Sequence, residues 1–374
     1  MGNCMYNASN LTKTVEKHKK FNKLKIYSLN VHLSNSFNVN SKINNIKNFI
    51  EETEFDILCI QGLYESKLLK TLVKNILSLN KNSINMKKRI SIFPFIDVIS
   101  LKNINNPGVL LSEGEIDETC SSMDVIKMSM SVSNDDNIYD IDCLIITKHD
   151  IISGTKVCMD YENKKIKKYV YIANIDCDGT LISIYNCTLA NDYIGISNRY
   201  LRNVQINKID NVISQNSHVI LNDDVYDTYY VKNIHIITCS SNIPEMIGRG
   251  INEEYIHLIK TLKCIDVYRY IRALKDKNTN IDIDLTSAGT NRNNYILVHV
   301  PNIKSFVNIK YIGEMLYKLN VIVINSLSIS SEYKFEDNPL CVDLLINRNS
   351  NRFKMTKNGS KKSKSAIEMV EKIE

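Results

Sequence analysis

The sequence contains no tryptophan, and only 5 prolines and 12 glycines among 374 residues. That scarcity excludes collagen-like and proline-rich disordered chains. No apolar run approaches the roughly 18 uninterrupted residues that a membrane-spanning helix needs. Met1–Lys25 is polar and basic, without the apolar core of a secretory signal. These absences predict a protein that is not secreted and is kept in a reducing, cytoplasmic compartment. No cysteine pair is spaced as CxxC, so zinc-ribbon and thioredoxin-like readings have no support. The 10 cysteines are scattered instead, and several fall in strand-like runs such as Asp56-Ile57-Leu58-Cys59-Ile60. Cysteine behaves there as a small core residue, so the set is read as reduced structural thiols.

Hydrophobic residues make up 44% and charged residues 24%, an ordinary globular balance with ample material for a core. The net charge of +6 is unevenly spread. Met1–Lys25 holds six basic residues against one acid and Arg348–Glu374 eight against three, leaving 33 basic and 37 acidic residues between them. A basic total often signals nucleic acid, but here the basic residues lie on the termini and the middle is mildly acidic, which makes that partner less expected. Asparagine is roughly one residue in eight. That is a composition expected of an AT-rich genome, such as that of a large DNA virus or a protist, and it says nothing about chemistry.

Periodicity divides the chain. Residues 1–23 read as a flexible basic arm, 24–347 as one folded domain with an insertion at about 78–137, and 348–374 as a basic tail. Strands are predicted at Leu24–Asn30, Asp56–Gln61, Ile90–Ile99, Asp140–Thr147, Lys168–Asp176, Leu181–Leu189, Val219–Leu221, Ile234–Thr238, Tyr295–Val300, Val321–Ile324 and Cys341–Ile346. Helices are predicted at Ser41–Glu52, Leu68–Ile76, Ser197–Ser214 and Ile309–Leu319. Ile43, Ile46, Phe49 and Ile50 mark the buried face of the first. Strands outnumber helices, and Lys168–Asp176 with Leu181–Leu189 suggests a hairpin. The pattern predicts a mixed α/β sandwich with two central sheets and not a doubly wound parallel sheet.

Sites in such folds gather where strands meet loops. The strand-end series runs Leu29-Asn30-Val31, Cys59-Ile60-Gln61-Gly62, Ile146-Thr147-Lys148, Tyr185-Asn186-Cys187-Thr188-Leu189, Leu221-Asn222-Asp223-Asp224-Val225, Ile265-Asp266-Val267, Arg292-Asn293-Asn294-Tyr295 and Glu336-Asp337-Asn338-Pro339. In order and spacing this series resembles the endonuclease/exonuclease/phosphatase superfamily, the DNase I-like metal-dependent phosphodiesterases. The resemblance covers about residues 24–346. It implies a four-layer α/β sandwich with two central mixed β-sheets and a Mg²⁺ site at one end of them.

Carried over position by position, the resemblance makes Asn30 the strand-end asparagine, Asp223 a retained aspartate and Asp337 the retained aspartate of the closing motif. Asp223 and Asp337 are thereby the candidate metal ligands. Gly62 stands where the family has its metal-binding glutamate, Thr188 where it has a histidine, and Val225 where it has an asparagine. Asn294 replaces the aspartate that orients the catalytic histidine, and Asn338 replaces that histidine. Losing a carboxylate removes one of the few hard anionic ligands that Mg²⁺ relies on. An amide at 338 cannot take up a proton near neutral pH, which removes general-base chemistry there. Glu65 and Asp224 adjoin the motif positions but read as solvated loop acids, and His32 as a structural histidine. The remaining histidines have no ligand spacing.

These departures predict an endonuclease/exonuclease/phosphatase-like pseudoenzyme, a binding or scaffold protein with Mg²⁺ its only conceivable cofactor. The alternative is a divergent Mg²⁺-dependent phosphodiesterase or phosphatase. The start, Met1-Gly2-Asn3-Cys4, resembles that of N-myristoylated proteins, with Cys4 placed for palmitoylation. The lysines that follow would strengthen attachment to an anionic membrane surface. A protein partner is also plausible on this reading.

Overall fold

The protein is represented by a computed structural model that describes residues 21–31, 39–63, 71–73, 75–76, 90–94, 141–162, 166–178, 180–192, 197–216, 218–222, 228–232, 234–247, 250–275, 293–306, 308–328, 339–347 and 352–355. In chain order the elements begin with β1 (Phe21–Asn30), α1 (Val39–Glu52), β2 (Ile57–Gln61), β3 (Ser91–Phe93), β4 (Cys143–Thr147), β5 (Asp150–Glu162), β6 (Ile166–Cys177) and β7 (Thr180–Thr188). There follow α2 (Arg199–Gln215), β8 (His218–Asn222), β9 (Thr228–Lys232), β10 (Ile234–Ser240), β11 (Met246–Ile247), β12 (Gly250–Ile251), α3 (Glu253–Thr261) and β13 (Cys264–Asp266). The chain closes with α4 (Val267–Lys275), β14 (Asn294–His299), α5 (Ile309–Lys318), β15 (Val321–Ser328), β16 (Leu340–Asn347) and β17 (Arg352–Met355).

Two six-stranded sheets dominate, in the orders β15-β16-β1-β2-β4-β3 and β13-β14-β10-β7-β6-β5. Each has one parallel pair near its middle, β1 with β2 and β7 with β10, and antiparallel neighbours elsewhere. A parallel pair needs a crossover, and α1 supplies it in the first sheet. The second sheet's crossover contains α2. Small sheets, β17-β9-β8 and β11-β12, complete the set.

Two apolar cores fix the layering. The larger joins the facing sides of the sheets and also takes in Ile43, Ile46, Phe49 and Ile50 of α1, Ile271 of α4, and Ile312 and Leu316 of α5. The Phe49 ring meets Tyr27 of β1 edge-on at 5.5 Å, so α1 covers the outer face of the first sheet. The second core places Ile206, Ile209 and Ile213 of α2, with Leu258 and Ile259 of α3, against Val170, Ile172, Tyr185 and Leu297 of the second sheet. The architecture is therefore a four-layer α/β sandwich with two central mixed sheets, the class expected from the sequence. Gly154 of β5 lies against Phe93 of β3, where the edges of the two sheets approach. A Cβ there would run into the Phe93 ring, so only glycine fits the present backbone.

Differences from the sequence reading are local. β5 falls in a stretch that the periodicity leaves unassigned. It is an edge strand with residues 152–155 exposed and two register shifts, so it lacks clean alternation. α3 is also new. The side chain of Asn252 caps it by accepting the Glu254 N–H at 3.0 Å, and Tyr255, Leu258 and Ile259 form its buried face. That cap and spacing were available in the sequence. β1 starts three residues before the arm boundary set at 23/24, and β17 lies inside the segment read as the C-terminal tail. The stretch 95–140, which includes most of the expected insertion, lies outside the described residues.

The eight described cysteines form no disulfide with one another, and seven of them are buried. Burial pushes the Cys59 thiol up to about 12 and Cys341 up to about 11, as suits inert core residues.

Candidate functional site

The parallel pairs bring four strand ends together. Asn30 and Gln61 close β1 and β2 and are register partners. Thr188 and Ser240 close β7 and β10 and are also partners. Asn294 opens β14 opposite Ser240. Ligand sites of α/β sheets favour the carboxyl ends of parallel strands, and here two such ends face each other across the sandwich.

The contact between the sheets at this end is polar. Asn30 Nδ2 donates to Ser240 Oγ at 2.7 Å, across 210 residues of sequence. Gln61 Nε2 donates to Asn186 Oδ1 at 2.7 Å and to Ser28 Oγ at 3.1 Å. Asn186 Nδ2 donates in turn to the carbonyls of Leu144 at 2.8 Å and Ile60 at 3.1 Å, and Thr238 Oγ1 donates to Asn186 Oδ1 at 3.1 Å. Thr188 Oγ1 lies 3.5 Å from Cys143 Sγ. Asn30, Gln61, Asn186, Thr188, Thr238 and Ser240 are all completely buried. Buried polar groups must be hydrogen-bonded, and these largely satisfy one another across the two sheets. Asn294 differs. It is 2% exposed, and neither Oδ1 nor Nδ2 has a partner among the described residues.

Gly62 has φ 79°, in the left-handed region that side-chain-bearing residues rarely adopt. Its neighbour Leu63 donates its N–H to the Asp142 carbonyl at 3.0 Å, so the chain turns sharply as β2 ends. Gly62→Glu is therefore expected to destabilise the fold by about 1–2 kcal/mol, from the cost of a Cβ in that conformation. Urea unfolding of the variant checks this, and an unchanged midpoint would refute the requirement.

A charged pair that the sequence reading missed lies at the same end. Lys168 Nζ is 3.9 Å from Asp142 Oδ2, and both residues are buried. Burial pushes the Asp142 carboxyl upward, and the downward pull of the Lys168 ammonium does not cancel that push. The two residues are 26 apart in sequence, Asp142 just before β4 of the first sheet and Lys168 on β6 of the second, and no local pattern links them.

The structure places Asn30, Thr188 and Asn294 at the same end of the two sheets, each next to Ser240. Asp223, Val225, Asp337 and Asn338 lie outside the described residues, as do Gly2, Cys4, His32, Glu65 and Asp224. Among the described residues no cluster of three or more His, Cys, Asp or Glu side chains could hold a metal ion. A divalent metal is what the resemblance implies here. The described donor set does not fit one: position 62 has no carboxylate, no cluster of three acidic, thiol or imidazole donors is present among the described residues, and the buried Asp142 carboxyl already faces an ammonium. The rings of His235 and His299 meet edge-on at 5.8 Å. Their ring nitrogens bond to protein, His235 Nδ1 to Tyr185 Oη at 3.0 Å and His299 Nδ1 to the Leu262 carbonyl at 2.7 Å.

The fold is a four-layer α/β sandwich whose polar strand ends converge at one end of its two central sheets. Solved structures similar to this chain include an endonuclease/exonuclease/phosphatase family protein from Leptotrichia buccalis, with 13% identity and a TM-score of 0.48 over 86% of this chain and 99% of that one. The endonuclease/exonuclease/phosphatase from Bacteroides vulgatus gives 10% identity and 0.48 over 87% and 100%, and the human Nocturnin catalytic domain 13% and 0.47 over 87% and 96%. The likeness is one of fold. No family model and no curated protein matches the sequence. Among the described residues no helix is long and apolar enough to cross a membrane.

Proposed function

We propose that this chain is an endonuclease/exonuclease/phosphatase-fold protein whose catalytic centre has been replaced, and that it serves as a non-catalytic binding or scaffold protein. The observation that carries this reading is the closed polar network at the strand ends. Asn30 and Gln61 spend their amide N–H groups on Ser240 and Asn186, and they are buried together with Thr188. Hydrolysis of a phosphoester needs an activated water, a base and stabilisation of developing negative charge. Side chains bonded to one another and shut from solvent offer none of these. The replacements at Gly62, Thr188, Val225, Asn294 and Asn338 point the same way on the motif alignment.

The competing reading is a divergent Mg²⁺-dependent phosphodiesterase. It is favoured by the survival of Asn30, Asp223 and Asp337 at motif positions. Titration calorimetry with Mg²⁺ and Mn²⁺, paired with hydrolysis assays on plasmid DNA and a generic phosphodiester, separates the two. The expected result is no turnover in either the wild type or Asp223→Ala. Metal-dependent turnover that disappears in Asp223→Ala would overturn the non-catalytic reading. Membrane attachment through acylated Gly2 and Cys4 is a separate part of the proposal. Incorporation of labelled myristate that is lost in Gly2→Ala would support it.

A further inference from the structure

We propose that the Lys168 ammonium is a built-in cation that takes the place of a divalent metal at this end of the sheets, with the Asp142 carboxylate as its partner. The inference rests on the non-catalytic reading and gives it an electrostatic basis.

Placement comes first. Gln61 pairs with Cys143 across β2 and β4, and Leu63 N–H bonds to the Asp142 carbonyl at 3.0 Å, which sets Asp142 beside Gly62. Cys143, the next residue, touches Thr188 at 3.5 Å. Asp142 thus stands at the strand ends that carry Asn30, Gln61 and Thr188.

Chemistry comes second. Among the described residues no hydrogen bond to either carboxylate oxygen of Asp142 meets ordinary geometry, although the Tyr171 hydroxyl faces the carboxyl. A buried carboxylate in that state requires a nearby cation or a proton. The cation on hand is Lys168, 1% exposed and 3.9 Å away. An ammonium held on the chain is always present, at an effective concentration no free ion reaches. It also repels any divalent cation that approaches the same oxygens.

The test is thermal unfolding of the full chain, followed by circular dichroism in EDTA and in MnCl₂, for the wild type, Lys168→Met, Asp142→Asn and the double variant. The wild type is expected to melt at the same temperature in both solutions. Lys168→Met should melt lower in EDTA and recover part of that loss in MnCl₂, because the bare Asp142 carboxylate then accepts the metal. The double variant should be indifferent to MnCl₂. Two results would overturn the proposal: a wild-type midpoint that rises with Mn²⁺ and loses the rise in Asp142→Asn, or a folded Lys168→Met that ignores Mn²⁺. Should Lys168→Met not fold, the comparison of wild type with Asp142→Asn still decides.

The underlying reading can fail separately. Turnover by the wild type in EDTA would refute the non-catalytic role and leave the Lys168 assignment standing. Mn²⁺-dependent turnover abolished by Asp142→Asn would refute both.

Discussion

Arg202→Met is expected to lower the unfolding free energy by about 3–5 kcal/mol, the usual cost of removing one partner from a buried ion pair. Arg202 is 2% exposed in α2. Its Nε and Nη2 reach the two carboxylate oxygens of Glu254 at 2.5 and 2.9 Å, a two-point clamp that ties α2 to α3. Nη1 donates to Asp192 at 2.7 Å and to the Ala190 carbonyl at 3.1 Å. Burial opposes the Arg202 charge, but the bonds to Glu254 and Asp192 outweigh it and hold the guanidinium's pKa above its ordinary value. Methionine fills much of the volume but leaves the Glu254 carboxylate buried without its partner.

The double variant Arg202→Met/Glu254→Leu should recover most of the loss, since an apolar pair removes the uncompensated charge as well as the bond. Denaturant unfolding of both variants checks this. A single-variant loss under about 1 kcal/mol would place the pair in the class of surface ion pairs, which contribute little. The consequence reaches the strand ends, because Ala190 and Asp192 belong to the segment that leaves β7 just after Thr188. Gln205 adds to this anchor by accepting the Ala190 N–H at 2.9 Å.

The second large effect is expected from Asn186→Leu. Leucine matches asparagine closely in size but can make none of its hydrogen bonds. The substitution strips the carbonyls of Leu144 and Ile60 of a donor, and Gln61 and Thr238 of an acceptor. Each orphaned buried group costs about 1–3 kcal/mol, but Gln61 keeps Ser28 and Thr238 keeps the Tyr185 carbonyl. A net loss of about 2–3 kcal/mol follows, because the two carbonyls keep their β2–β4 ladder partners and the two donors are weakened, not orphaned. Urea unfolding measures it. A loss near zero would mean that solvent reaches the network, which would undercut the closed-site argument as well.

The two parallel pairs explain why so much was legible in the sequence and why the centre was not. Strand and helix periodicity is set by neighbours within a few residues. Ile43, Ile46, Phe49 and Ile50 therefore predict α1 by themselves, and the run from Lys168 to Leu189 predicts the β6–β7 hairpin. The order of motifs at the strand ends is also written in one dimension, and it pointed to Asn30, Asp223 and Asp337 as retained positions and Thr188, Asn294 and Asn338 as substituted ones. β5 escaped because an edge strand with bulges need not alternate. α3 escaped although its asparagine cap and apolar spacing were present.

The pairing of Asn30 with Ser240, the bridge through Asn186 and the Asp142–Lys168 pair belong to another order of information. They depend on which ends of two separate sheets come face to face, and no local preference encodes that. The sequence alone determined most of the elements and the sandwich class, because each is written in residue type and short-range spacing. Tertiary structure alone decided that the polar side chains of the strand ends bond to one another, because only packing two sheets together brings those groups within bonding distance and removes the water that would otherwise have satisfied them.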